Sequence, residues 1–197
     1  MEGQHSGTQI RMARGGEGYL DDPAYHIQEF LTFVGVTDEE VIKNTPRRFT
    51  DAFREMLGTH DAYWEFTTFE SKCDEMVIVK DISFVTLCAH HLLPFVGHAH
   101  VGYIPQGRIA GLSKIARCVR SVARGLWAQE DLTMDIATYL EEKLAPKGVA
   151  VVLEAEHTCM AIRGVKADGS KTTTSALRGV FRDNTNNARA EFLGLIR

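Results

Sequence analysis

The stretch "MVIVKDISFVTLCAHHLLPFVGHAHVGYI", residues 76–104, decides how the chain folds. Its two flanks, residues 76–87 and 95–104, are rich in β-branched and aromatic side chains, and the turn-prone His-Leu-Leu-Pro between them predicts an antiparallel pair of strands. Between them sit Cys88, His90 and His91, residues that a purely structural strand end does not require.

Working outward, the flanking segments are helical. Residues 22–34 place Ala24, Ile27, Phe30, Leu31 and Val34 at helical spacing, and Gly35 stops that helix. A second helix is predicted after Thr37-Asp38-Glu39-Glu40. A third is predicted from Thr45-Pro46, where the hydroxyl can cap and proline suits the first turn. This helical segment covers residues 21–60. Residues 1–20 are Gly-, Arg- and Ser-rich without periodicity and are expected to be disordered or loosely ordered. Downstream, residues 112–124 and 129–144 carry helical spacing, broken by Gly125 and closed by Pro146-Lys147-Gly148. Strand character returns in residues 149–155 and 172–181, before a short helix around 188–196. The order of helices, then β-β-α-α-β-β, then a helix predicts an α+β domain over residues 61–197, with an antiparallel sheet carrying helices on one face.

Composition narrows the function. A chain of 197 residues, 44% hydrophobic and 24% charged, is long enough to bury a sizeable core as one globular domain. No apolar run approaches the ~20 residues that cross a bilayer, and the N-terminus lacks the apolar core of a secretory signal. A cytoplasmic protein without a membrane partner is expected. The net charge of −4, with no basic stripe interleaved with aromatics, argues against a nucleic-acid partner and for a small-molecule ligand. The four cysteines, Cys73, Cys88, Cys118 and Cys159, are widely spaced in a chain that needs no staples, so metal or catalytic duty is the better expectation than a disulfide framework.

A second cluster, "EAEHTCMAIRG" at residues 154–164, sets His157 and Cys159 two apart at the end of a predicted strand, where such residues share a face. With Cys88, His90 and His91 it offers thiolates and imidazoles, the donors that zinc prefers. Taken singly, each is more often a small buried hydrophobe or a satisfied core histidine. Their pairing in two short stretches is what favours metal. The spacing is not that of a structural zinc pair, so a site with a position open to water is the expectation.

Ser113, Lys114 and Arg117 fall at a strand-to-helix junction, where unpaired backbone N–H groups and cations favour an anion such as phosphate. By themselves they read first as an ordinary capped helix with a solvated basic face. Arg48 and Arg163 are further cations that a fold could bring to the same ligand. Gln129 and Glu130 open a predicted helix; a carboxylate with an amide beside it can read the edge of guanine, and equally a glutamate there can simply complement the helix dipole.

Five segments, "LCAHHLLPFVGHAHVGYIP", "GLSKIARCV", "QEDLT", "EHTCMAIRG" and "TTTSALRGVF…ARAEFLGLI", together resemble GTP cyclohydrolase I, in order and at matching intervals across residues 37–197. The resemblance implies a T-fold subunit of a homodecamer with sites at subunit interfaces. It implies hydrolysis of GTP to 7,8-dihydroneopterin triphosphate and formate, a step of pterin biosynthesis. By position it implies zinc (Zn2+) on Cys88, His91 and Cys159, and acid–base roles for His90 and His157. Gln129 and Glu130 are similar to the guanine anchors, while Arg48, Ser113, Lys114, Arg117 and Arg163 match the residues around ribose and triphosphate. The chain departs from the pattern at Ala89, where the family usually has glutamate, and at Gly125, Trp127 and Asp131, more often Arg, Gln and Arg. A catalytically weakened paralogue that binds a purine nucleotide or pterin as an oligomeric scaffold or regulator is the alternative that Ala89 and Asp131 favour. A T-fold nitrile reductase is disfavoured by the His157–Cys159 cluster, because its thioimide chemistry needs no second thiolate.

Overall fold

The computed structural model describes residues 22–58, 65–183 and 187–197, so the expectation for residues 1–20 lies outside the described residues. The chain divides into two compact units, a helical one ending at Gly58 and a second running to Arg197.

In the helical unit, α1 (Pro23–Phe33) starts where Asp22 accepts a hydrogen bond from the Ala24 N–H at 2.9 Å and proline occupies the first turn. The second and third predicted helices are one. α2 runs unbroken from Glu39 to Leu57, with Pro46 inside it. The Asp38 carboxylate caps the first turn by accepting from the N–H groups of Glu40 and Val41, which places the start seven residues before the proline rather than at Thr45. An interior proline costs about 3 kcal/mol. Here Pro46 lies on the helix's buried side with Thr50, and that burial offsets part of the cost.

The second unit is built on a five-stranded sheet in the order β5-β2-β3-β6-β7. The strands are β2 (Val77–Cys88), β3 (Pro94–Ile104), β5 (Leu126–Trp127), β6 (Gly148–His157) and β7 (Lys171–Leu177). The expected antiparallel pairing holds for β2, β3, β6 and β7. β5, which the sequence reading left between two helices, adds a short parallel pair, Leu87 with Leu126 and Cys88 with Trp127. A separate ribbon pairs β1 (Thr68–Glu70) with β4 (Arg108–Ala110). The last predicted strand is shorter than expected: β7 ends at Leu177 and a 3-10 turn covers Gly179–Phe181.

Helices α3 (Leu112–Ala123) and α4 (Gln129–Leu144) cover one face of the sheet. Ile115, Val119, Leu132, Ile136 and Leu140 pack there against Phe84, Phe95, Ala99, Val101, Val151 and Leu153. Burying each such side chain fully contributes about 1.5–3 kcal/mol, so this layer dominates the unit's stability. On the opposite face a smaller cluster joins Ala150, Val152 and Phe181 to Phe192 of α6 (Ala188–Leu195). The Phe192 ring lies so close to Gly102 that a Cβ there would meet it at 2.7 Å, which is why that strand position is glycine.

β2 is not regular. Its register against β3 shifts between Val79 and Ile82, where Asp81 takes φ 58° and a β-bulge adds one residue. Before the bulge Val77 and Val79 face the helices; after it Ile82, Phe84 and Cys88 do. The Asp81 N–H donates to His100 Nδ1 across the pair at 3.3 Å.

Candidate active site

Cys88 closes β2, and the next residues fold into a tight turn. The Cys88 carbonyl accepts from the N–H groups of His91 and Leu92, while the Cys88 N–H donates to the Leu93 carbonyl. Leu92 takes φ 56°, the left-handed conformation that reverses the chain. The Ala89 N–H donates to the Trp127 carbonyl at 3.0 Å, so the turn is tied to β5 and through it to the start of α4. The side chain of Ala89 is exposed.

Cys159 reaches the same place by a different route from the one the spacing predicts. β6 ends at His157 and Cys159 stands in the one-turn helix α5 (Thr158–Ala161), so the two do not share a strand face. The chain turns there because the Thr158 hydroxyl donates to the Pro94 carbonyl at 2.6 Å, at the start of β3. The result brings ligand atoms of Cys88, His91 and Cys159 within 4.8 Å of one another.

The donor set fits a tetrahedral metal. Cys88 Sγ lies 3.7 Å from His91 Nδ1; sulfur and nitrogen ligands of one tetrahedral zinc stand about 3.6 Å apart. His90 Nδ1 is 3.8 Å from the same sulfur but lies outside the three-ligand group. Burial first, then the neighbouring Cys88 sulfur, pushes the Cys159 thiol up, and the Arg163 charge pulls it back. A divalent cation favours the thiolate form against that burial cost. The other cysteines take no part: Cys73 is exposed away from the group, and Cys118 is sealed in the core, where burial drives its thiol far above the ordinary range.

His157, two residues before Cys159, is held in a fixed pose. Its ring stacks on Phe95, its cross-strand partner, with centroids 4.2 Å apart and planes inclined by 11°. Its Nε2 lies 2.7 Å from Gln129 Oε1. Burial holds its pKa below the ordinary imidazole value, against a smaller raising effect from Glu130. Gln129 itself is 2% exposed and turned into the fold, where its amide nitrogen faces Leu153 O, Thr172 O and Thr174 Oγ1. Glu130, next along α4, is exposed. Neither Phe95 nor the inward pose of Gln129 was expected. Gln129 falls on the apolar stripe of α4 with Leu132, Ile136 and Leu140, and a polar residue in that register was the available signal.

The predicted anion-binding residues fall into two groups. Ser113, Lys114 and Arg117 occupy the first turns of α3, whose N-cap Gly111 provides no side-chain cap. Arg163 follows α5, is exposed, and its charge acts on Cys159. Arg48 belongs to the helical unit, on α2, where its guanidinium lies 3.9 Å from Glu40.

Two of the departures from the expected pattern are coupled. Gly125 takes φ 149°, and a Cβ there would stand 3.0 Å from the Trp127 indole nitrogen. A side chain at 125 would crowd the indole, so the missing side chain there makes room for Trp127. Nothing in the structure explains Asp131.

The family model for GTP cyclohydrolase I matches residues 24–197. A relative from Methylococcus capsulatus named GTP cyclohydrolase 1 is 50% identical over 161 residues, 80% of this chain and 86% of that one. Another of that name from Brevibacillus brevis is 48% identical over 184 residues, 90% of this chain and 97% of that one. Among solved structures, an archaeosine synthase QueF-Like in the apo form aligns at a TM-score of 0.46 and 20% identity, over 55% of this chain and 97% of that one.

Proposed function

The chain belongs to the GTP cyclohydrolase I family, whose members are hydrolases, and from that premise we propose that its site opens the imidazole ring of GTP by hydrolysis, giving formate and 7,8-dihydroneopterin triphosphate. The observation that carries the residue assignment is the convergence of Cys88, His91 and Cys159 within 4.8 Å, a donor set suited to zinc. A zinc ion held there supplies Lewis acidity, which draws the pKa of water towards ~7.

The remaining roles fall to the chain's own groups. His90 and His157 carry protons to and from the ring nitrogens, since an imidazole offers one nitrogen that can donate a proton and one that can accept it. The exposed Glu130 carboxylate, at the start of α4, accepts hydrogen bonds from the amino and ring N–H donors of guanine. Ser113, Lys114 and Arg117, joined by Arg163 and Arg48, hold triphosphate and ribose through charge-assisted hydrogen bonds.

The working form is a homo-oligomer, a decamer by family, acting in the cytoplasm. Two features support assembly. Val85 and Val96 face each other across β2 and β3 on the outer side of the sheet, each 49% exposed. Among the described residues β7 also forms an edge of the sheet, an unpaired ladder that a neighbouring subunit can complete.

The test is incubation of metal-analysed protein with GTP, detecting formate and the fluorescence of oxidised neopterin. About one zinc per chain and stoichiometric formate are expected, with a light-scattering mass far above 21.9 kDa. Full turnover after zinc removal, or no formate from zinc-loaded protein, overturns the reading. A second reading, a catalytically weakened paralogue that binds a purine nucleotide or pterin, is favoured by Ala89 and Asp131. Tight binding of GTP with negligible turnover would select it.

A further inference from the structure

The amide of Gln129 can point only one way. Its nitrogen lies 2.9 Å from Thr172 O and 3.3 Å from Leu153 O, two backbone carbonyls that can only accept. Turning the amide over would set its oxygen against both of them in a buried site, losing the hydrogen bonds and leaving acceptor facing acceptor. A ring of hydroxyls fixes the same sense. The amide nitrogen lies 3.1 Å from Thr174 Oγ1, that hydroxyl lies 2.6 Å from Thr133 Oγ1, and Thr133 donates to the Gln129 carbonyl at 2.6 Å. Each hydroxyl passes its single proton onward, so Thr174 Oγ1 keeps a lone pair for the amide. Gln129 Oε1 is therefore the atom that faces His157 Nε2 across 2.7 Å, and an amide oxygen accepts.

We infer that Gln129 is a positioning residue that keeps a proton on His157 Nε2, leaving Nδ1 as the nitrogen turned to proton transfer. The inference rests on the reading of His157 as an acid–base group. The Phe95 stack supplies the other constraint, fixing the plane of the imidazole while Gln129 fixes its rotation within that plane. Because both ends of the Gln129 amide are committed inside the chain, its side chain serves the histidine rather than the nucleotide.

The experiment uses the zinc-loaded full chain with 15N-labelled histidine, and the Gln129→Met and Gln129→Glu variants. In the unsubstituted protein the His157 signals should be those of the Nε2–H tautomer. In Gln129→Met they should move towards a mixture, with kcat down ~10- to 100-fold, the range for lost partners of a site histidine, and with KM for GTP and zinc content little changed. Gln129→Glu, as the neutral acid, keeps an acceptor for Nε2 and one donor for Thr172 O, and should retain more kcat than the methionine variant. An Nδ1–H tautomer in the unsubstituted protein overturns the inference whether or not any variant folds. So does a rise in KM with kcat intact, which marks a nucleotide contact, or equal losses in both variants, which mark packing alone. Undiminished kcat in His157→Ala would instead overturn the acid–base reading, while leaving the tautomer assignment to its own spectrum.

Discussion

His157 and His100 lie on neighbouring strands of one sheet, and burial lowers the pKa of both, yet they are held in opposite senses. His157, at the end of β6 and two residues before Cys159, donates from Nε2 to a side chain and stacks on Phe95. His100, in the middle of β3, accepts at Nδ1 from the backbone N–H of Asp81 at the bulge. The first is held through a side chain; the second spends a nitrogen on holding the backbone. Burial therefore does not separate a working histidine from a structural one. The direction of the hydrogen bond does, together with what surrounds the other nitrogen.

Four predictions break or sharpen this contrast. The largest effect is expected at the thiols beside His157. Cys88→Ser or Cys159→Ser should lose metal and activity together, with turnover down by ~10³-fold or more as the Lewis acid is lost. Elemental analysis alongside the formate assay checks it, and activity without metal would dissolve the distinction between the two regions.

Next come the histidines themselves. His157→Ala should lower kcat by ~10²-fold or more, the scale of a lost acid–base group, with little change in unfolding midpoint. His100→Leu should do the reverse, leaving kcat alone and costing about 1 kcal/mol for the hydrogen bond at the bulge. Urea unfolding and steady-state kinetics on both proteins decide whether the roles are as separate as their geometry.

A smaller, opposite effect is expected at Ala89. If a carboxylate there orients a metal ligand or the attacking water, Ala89→Glu should raise kcat by ~10-fold at constant zinc content, since a missing partner of this kind commonly costs that much. An unchanged or lower kcat in fully metallated protein shows that alanine is tolerated.

The smallest effect concerns pH. The His100 pKa is held below its ordinary 6.5, chiefly by burial, with Asp81 and Glu154 opposing and His98 and Lys80 adding to the depression. Above 6.5 both folded and unfolded states leave this group neutral and stability is full. As pH falls through 6.5 the unfolded chain takes up the proton first, so stability declines. His100→Asn, whose side-chain oxygen can accept from Asp81 in place of Nδ1, should show a shallower loss between about pH 7.5 and 5.5 in urea titrations. An unaltered slope would place the acid sensitivity elsewhere.

Local chemistry made much of this legible beforehand. The β-branched runs marked β2, β3 and β6, and the limits of α4 were read to the residue, because its apolar stripe and the Pro-Lys-Gly stop act within one helix. The pairing of the Cys88 turn with the residues around Cys159 was also readable as chemistry. What was not readable depended on distant partners. β5 forms only because Leu126 and Trp127 find the end of β2, and Cys159 turns into α5 because Thr158 reaches the carbonyl of Pro94. The length of α2 was missed for a different reason. A proline inside a helix is a poor local choice, and the helix runs through it with that face buried.

The bulge at Asp81 has a bearing on inheritance as well as on shape. One surplus residue in β2 shifts the phase in which everything from Ile82 to Cys88 is displayed, much as a single inserted nucleotide shifts a reading frame. Loss of that residue would leave the strand's composition nearly intact while turning Ile82, Phe84 and Cys88 outward together. A compensating insertion just before Cys88 would return the thiol to its side but not the two core residues ahead of it. Among variants of this chain, length changes at the bulge should therefore be purged as strictly as substitutions of the thiol itself, although the bulge lies seven residues before Cys88 in the strand.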